Sequence, residues 1–474
     1  MLPSVRRYLK LFTSIAMTAI ALLAPRTSLA DTSMSSYAQG EIVVKYANGV
    51  SSTSQASIAS VAGADDPSAL APHTRLLHLK AGVNLSHALT HLRRQHDVLW
   101  AVPNYIAHTS DAQTPEQKAP ELPAPNDPGA GSTPGGWEEL QWNFVGTFGV
   151  NALQAWNNLA ADGAAGGKGV VVAVLDTGVA YANRSRFLRS PDFSPYEFVK
   201  GYDFVSHDPY PNDHNGHGTF VAGTIAEATN NGIGVTGLAY GVSLMPVRVL
   251  DGAGEGDASV IAEGVRYAVN HGARVINLSL EFSSDVTASD IPDLIEALRY
   301  ANHRGVVVVA AAGNEGDSTI PYPARAKDVI AVGATTEHGC LANYSNDGKG
   351  VTLVAPGGGA DADLAGDPNC STTLPPGRDV FQETFTGASP RQFGLPNGYE
   401  GTSMATPHVA ATAALIIASG VLGPRPTPEQ ITARLKSTAR KLGSPTDSYL
   451  YGAGLVDAGA ATAAGGPGAI SPTA

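Results

Sequence analysis

The 474 residues are 43% hydrophobic and only 15% charged, where roughly 25% charged is usual for a soluble domain. That much apolar material excludes an intrinsically disordered chain, and 53 Gly and 32 Pro without a triplet period exclude a collagen-like fibre. The net charge of −12 argues against a nucleic-acid partner, which needs a basic face to displace counterions from phosphates. The first 125 residues hold 10 Lys/Arg and 8 Asp/Glu, so the remainder holds 20 and 34, a net of −14. The acidity belongs to the C-terminal part.

In chain order, Arg6, Arg7 and Lys10 precede an apolar run from Leu11 to Ala24, followed by Ser28-Leu29-Ala30. This is the pattern of a secretory signal over residues 1–30, and the run is too short for the roughly 20 residues a spanning helix needs. The expectation is an exported protein, extracellular or periplasmic, with no membrane association once the signal is removed. Next, Glu41 to Tyr46 reads as a strand, Asn84 to His96 as an amphipathic helix and Val98 to Ile106 as a second extended run. Residues 31–112 thus form a small α+β module. The Pro-rich stretch 113–136 reads as an extended, exposed linker.

From Trp137 the pattern changes. Short β-rich runs at 169–175, 244–250, 274–280, 305–311 and 329–333 alternate with helical stretches such as 258–270 and 291–302. Continuous apolar strands are buried on both faces, so residues 137–474 are expected to form an α/β domain, a mostly parallel sheet between two helix layers. In such sheets, sites form at the carboxyl ends of strands. Only Cys340 and Cys370 are present, so they pair with each other or not at all; export favours pairing.

Three polar residues stand at strand ends or helix starts. Asp176 closes the run Gly169 to Leu175, His217 lies in the small-residue stretch Asn215 to Thr224, and Ser403 lies just before an apolar helix running to Ser419. Singly, each reads as a turn or cap residue. Together they supply the orienter, base and nucleophile of acyl transfer, and the chain order Asp, His, Ser is that of the subtilisin type. A lipase is disfavoured because Ser403 sits in GTSMA, and Gly252-Ala-Gly-Glu-Gly is not a dinucleotide fingerprint.

The chain closely resembles the bacterial subtilisin-like serine proteases through VAVLDTGV around Asp176, NGHGTFVAGT around His217, AAAGNEG around Asn314 and GTSMATPHVAA around Ser403. The resemblance runs from Trp137 to Ala460 and implies a subtilisin-like three-layer fold and a serine endopeptidase with Asp176, His217 and Ser403 as its triad. It implies Asn314 as the side-chain oxyanion donor, and substrate contacts from Ser279, Leu280, Glu281, Ala311 and Gly313. Glu281 and Phe282 depart from the family, which usually has glycine there, so that Glu281 either narrows the cleft, favours basic substrate residues or points to solvent. The segment 357–397 is longer than the family's minimal form and reads as a surface loop.

The same resemblance suggests structural calcium, with Thr229 to Val235 as its loop and Asp192 and Asn231 as ligands, although the loop is one residue longer than the family pattern. It also implies that residues 31–112 are a propeptide acting as chaperone and inhibitor of its own enzyme. The expected product is a self-processing zymogen, monomeric, acting on protein or peptide substrates. The rival from another class is a non-catalytic binding protein of the same fold whose cleft Glu281 blocks.

Overall fold

A computed structural model describes residues 37–71, 73–105, 124–160, 163–443 and 448–465. The expected signal segment 1–30 and part of the expected linker lie outside the described residues. The chain divides into two compact units, Met1–Pro115 and Glu116–Ala474.

The first unit contains β1 (Tyr37–Tyr46), α1 (Ser52–Val61), β2 (Ala64–Ala71), β3 (Thr74–Leu79), α2 (Leu85–Arg93) and β4 (Val98–Tyr105). Its sheet is antiparallel in the order β2-β3-β1-β4. Ile42, Val44 and Tyr46 alternate onto the buried face, where they meet Ala59 of α1 and Ala88, Leu89 and Leu92 of α2. Asn84 caps α2 by accepting the His87 N–H. The strand at β1, the helix at α2 and the strand at β4 were expected from sequence. α1, β2 and β3 were not, because ADDPSALA carries no β-rich pattern and takes its shape from pairing with β3.

The second unit opens with short helices α3 (Trp137–Leu140) and α4 (Trp142–Val145), then α5 (Ala152–Ala160) and β5 (Val171–Asp176). There follow β6 (Tyr202–Asp203), α6 (His217–Ala226), β7 (Ser243–Arg248), α7 (Ala258–Asn270) and β8 (Val275–Leu278). Next come α8 (Pro292–His303), β9 (Val307–Ala311), β10 (Val329–Thr335) and β11 (Leu353–Pro356). The chain closes with the two-residue strands β12 (Thr384–Phe385) and β13 (Phe393–Gly394), then α9 (Thr402–Ser419), α10 (Pro428–Thr438), α11 (Ser448–Tyr451) and α12 (Ala458–Thr462).

Seven strands form one parallel sheet in the order β11-β10-β9-β8-β5-β7-β6. Both faces are covered, as the uninterrupted apolar strands require. On β5, Val172 and Val174 join the layer containing α5, α6 and α9, while Ala173 and Leu175 join the layer containing α7 and α8. α9 runs under the sheet with nearly every residue buried, so it is apolar all round rather than amphipathic. Among the described residues no helix is long and apolar enough to cross a membrane.

Two expectations need correction. Within the expected linker, residues 125–129 pack against the second unit: Pro125, Asp127 and Gly129 are buried, Trp137 Nε1 donates to Pro125 O at 3.0 Å, and Gly129 N donates to Gly234 O at 2.7 Å, while 130–134 are exposed. Proline richness signalled irregular backbone correctly, but irregular backbone also packs when its polar groups find partners. Likewise, the segment 357–397 is not only surface loop. Val380, Gln382 and Thr384 are fully buried, and Thr384 Oγ1 donates to Gly216 O, one residue before His217. Cys340 and Cys370 are joined in a disulfide that ties this segment to the turn following β10.

Candidate active site

Asp176 ends β5 and is fully buried. The sheet therefore delivers a carboxylate to its carboxyl edge, where Oδ1 accepts the Thr177 N–H at 2.7 Å. His217 is the first residue of α6, directly after Gly216 in the left-handed region. Its Nδ1 stands 2.8 Å from Asp176 Oδ1. A carboxylate only accepts, so Nδ1 carries the proton and Nε2 keeps its lone pair toward the cleft. Gly218 makes this approach possible, because a Cβ there would run into Gly178 O and come within 3.1 Å of Asp176 Oδ1.

Burial opposes the charged imidazole, but the Asp176 charge and hydrogen bond, helped by Asp213, outweigh it and raise the His217 pKa above its ordinary value. Asp213 was not singled out in the sequence. Its buried carboxylate accepts from Thr177 Oγ1, from the Asn215 and Gly216 N–H groups, and from both N–H and Oγ1 of Thr219. It thereby shapes the turn that presents His217. An Asp four residues before the His, in a run of turn residues, is the sequence signal that could have found it.

Ser403 follows Thr402 in the first turn of α9 and lines the same cleft as His217. Its hydroxyl donates to Ser279 O at 3.2 Å, and Ser279 Oγ donates to Ser403 O at 2.8 Å. This reciprocal pair ties the end of β8 to α9. Asn277 Nδ2 donates to Ser279 Oγ at 2.9 Å and completes the chain of contacts. The Ser403 hydroxyl thus hydrogen-bonds Ser279 O and not His217 Nε2.

Asn314 follows β9. Its Oδ1 accepts from Thr402 N at 2.8 Å and Thr402 Oγ1 at 3.0 Å, next to Ser403 in sequence, which leaves its Nδ2 to point at a residue of the cleft wall. There Nδ2 donates to Glu281 Oε1 at 3.2 Å. Leu280 and Glu281 line the cleft with His217 and Ser403, and Ala311 is buried at the end of β9. Gly313 stands against Glu281, whose Oε2 would be 2.7 Å from a Cβ there. Burial pushes the Glu281 carboxyl up to about 7, with Glu315 adding to the rise against hydrogen bonds from Asn314.

Away from the cleft, Asp192 and Asn231 are in contact: Asn231 Nδ2 donates to Asp192 Oδ1 at 2.8 Å, and Val235 N to Asp192 Oδ2 at 3.0 Å. A third residue, Asp127, joins the same loop and was missed because it lay in the presumed linker. Its carboxylate accepts from the N–H groups of Asn230 at 2.8 Å, Asn231 at 2.9 Å and Gly232 at 3.2 Å. Asp127 and Asp192 are both fully buried, and among the described residues neither pairs with a basic side chain.

Residues 167–454 match the model of the subtilase family, and residues 24–104 match that of the fervidolysin N-terminal prodomain. The chain is 41% identical to subtilisin Savinase from Lederbergia lenta over 296 residues, 62% of this chain and 91% of that protein. It is 33% identical to the thermophilic serine proteinase of Bacillus sp. strain AK1 over 420 residues, 88% of this chain and 86% of that one. A solved protease from Pseudoalteromonas arctica superposes with a TM-score of 0.57 at 32% identity, covering 72% of this chain and 99% of its own.

Proposed function

The chain belongs to the subtilase family, a serine-type endopeptidase carrying a prodomain, and from that premise we propose that Asp176, His217 and Ser403 are its catalytic triad. The observation that carries this assignment is the 2.8 Å bond from His217 Nδ1 to a fully buried Asp176, in a cleft shared with Ser403. Ser403 Oγ attacks the scissile carbonyl carbon while His217 Nε2 takes its proton. The tetrahedral intermediate places its oxyanion between Asn314 Nδ2 and the Ser403 N–H. The imidazolium, held by Asp176, returns the proton to the leaving amine, and an acyl-enzyme remains. Water, deprotonated by His217, repeats the attack and releases Ser403.

The prodomain is proposed as chaperone and inhibitor of the same chain, removed by the enzyme itself. Export by the segment 1–30 is proposed with it, supported by the signal pattern and by a disulfide, which persists outside the reducing cytosol. Calcium is proposed as a structural ion. Asp127 and Asp192, two buried carboxylates without basic partners among the described residues, supply oxygens suited to a hard cation, while Asn231, whose Nδ2 now donates to Asp192, would have to turn its Oδ1 inward to join them. Bound there, calcium would supply the missing positive charge and hold the loop Thr229 to Val235.

Expression of Ser403→Ala tests the assignment. The expected result is a folded protein without peptidase activity; near-normal hydrolysis by the purified variant overturns it.

A further inference from the structure

The resemblance implies a substrate contact at Glu281 but leaves open what its side chain does. Its position is specific. Oε1 accepts the Asn314 amide at 3.2 Å, and Oε2 is buried without a hydrogen-bond partner among the described residues. The space comes from Gly313, at φ +107, where a Cβ would stand 2.7 Å from Glu281 Oε2, 2.9 Å from Glu315 Oε2 and in collision with Asn346 Nδ2. Two carboxylates therefore converge on one glycine beside the oxyanion donor. Glu315 is met by Asn346 Nδ2 at 2.6 Å, while Glu281 Oε2 has nothing comparable.

During attack the scissile carbonyl oxygen must sit at Asn314 Nδ2, the atom Glu281 now occupies. The side chain of the residue contributing that carbonyl branches from the adjacent carbon, so it enters next to the Glu281 carboxylate. A neutral side chain leaves Glu281 Oε2 uncompensated and gives Glu281 no reason to quit the amide. An ammonium or guanidinium supplies the missing donors to Oε2, draws the carboxylate off Asn314 and frees the amide for the oxyanion. Recognition and assembly of the hole then occur in one movement.

Resting on the serine endopeptidase reading above, we propose that Glu281 selects a basic residue, Lys or Arg, immediately before the scissile bond. A charged hydrogen-bonded pair contributes about 1.5–3 kcal/mol, which is roughly 10- to 100-fold in kcat/KM.

The test uses secreted, processed enzyme and fluorogenic peptides identical except before the cut, where Lys is compared with norleucine and Arg with citrulline, each pair matched in length. The expected wild-type Lys-to-norleucine ratio is at least about tenfold, collapsing toward one in Glu281→Gln and Glu281→Gly. In Glu315→Gln the ratio should persist. Equal hydrolysis of the two wild-type peptides, or a ratio unchanged in both Glu281 variants, overturns the proposal and leaves the peptidase reading standing. Failure to cleave any peptide or protein, with no labelling of Ser403 by a fluorophosphonate, removes both.

Discussion

His217 Nδ1 lies 2.8 Å from Oδ1 of Asp176, a carboxylate with no solvent exposure. Burial alone would lower the histidine pKa, yet the adjacent charge raises it. The sign for activity follows. Only neutral His217 accepts the serine proton, so kcat/KM should rise with pH through a midpoint above the ordinary value of about 6.5 and fall as pH drops below it. Asp176→Asn should move that midpoint down and cut kcat by about 10⁴, the size of the same change in a chymotrypsin-type triad. A pH–rate profile of both proteins checks this.

Asn314 has its amide oriented by two hydrogen bonds from Thr402. Asn314→Ala should lower kcat by about 10²–10³, the range known for losing this donor in subtilisin itself, with a much smaller change in KM. Steady-state kinetics separate the two constants; a variant raising KM alone would place Asn314 in ground-state binding instead.

Asp127 holds three loop N–H groups at once. Asp127→Ala leaves them without that acceptor and should cost about 1–3 kcal/mol. Chelation should lower the wild-type thermal midpoint, and added calcium should raise it in a concentration-dependent way. Asp127→Ala should respond to calcium less than wild type. Thermal melts with and without chelator measure all three.

The disulfide closes a loop spanning 30 residues. On chain entropy, Cys340→Ser/Cys370→Ser should lose about 3–4 kcal/mol. Denaturant titration of the double variant reports the loss.

Maturation has a structural limit. Because Pro125 and Asp127 are part of the folded second unit, N-terminal sequencing should find the processed protein beginning at or before Ala124. Ser403→Ala should retain its prodomain. An identical processed N-terminus in both proteins would assign the cut to another protease.

The parallel sheet was legible because its strands are uninterrupted apolar runs such as VVAVL, and their burial on both faces leaves no alternative pattern. Asp176, His217 and Ser403 were legible because each sits at a strand end or helix start within a long motif. Asp127 was not legible because it accepts backbone N–H groups from Asn230 and Asn231, which only the fold brings near, whereas Asp213 was overlooked although it serves its own local turn. The course of 357–397 was hidden for a related reason. Its buried residues include Gln382 and Thr384, which polarity would place outside, and they are inside because Thr236 O and Gly216 O accept their hydrogen bonds. Glu281 was conspicuous, but only its contact with Asn314 distinguishes a carboxylate held in the cleft from one in solvent.

Ser403 is proposed as a nucleophile activated by His217. Reaction of the processed protein with a fluorophosphonate, followed by peptide mass spectrometry, measures this directly. One adduct on Ser403, abolished by Ser403→Ala and strongly slowed by His217→Ala, is the predicted result. An unmodified Ser403 in protein that still hydrolyses peptides, or an adduct confined to another serine, would contradict it.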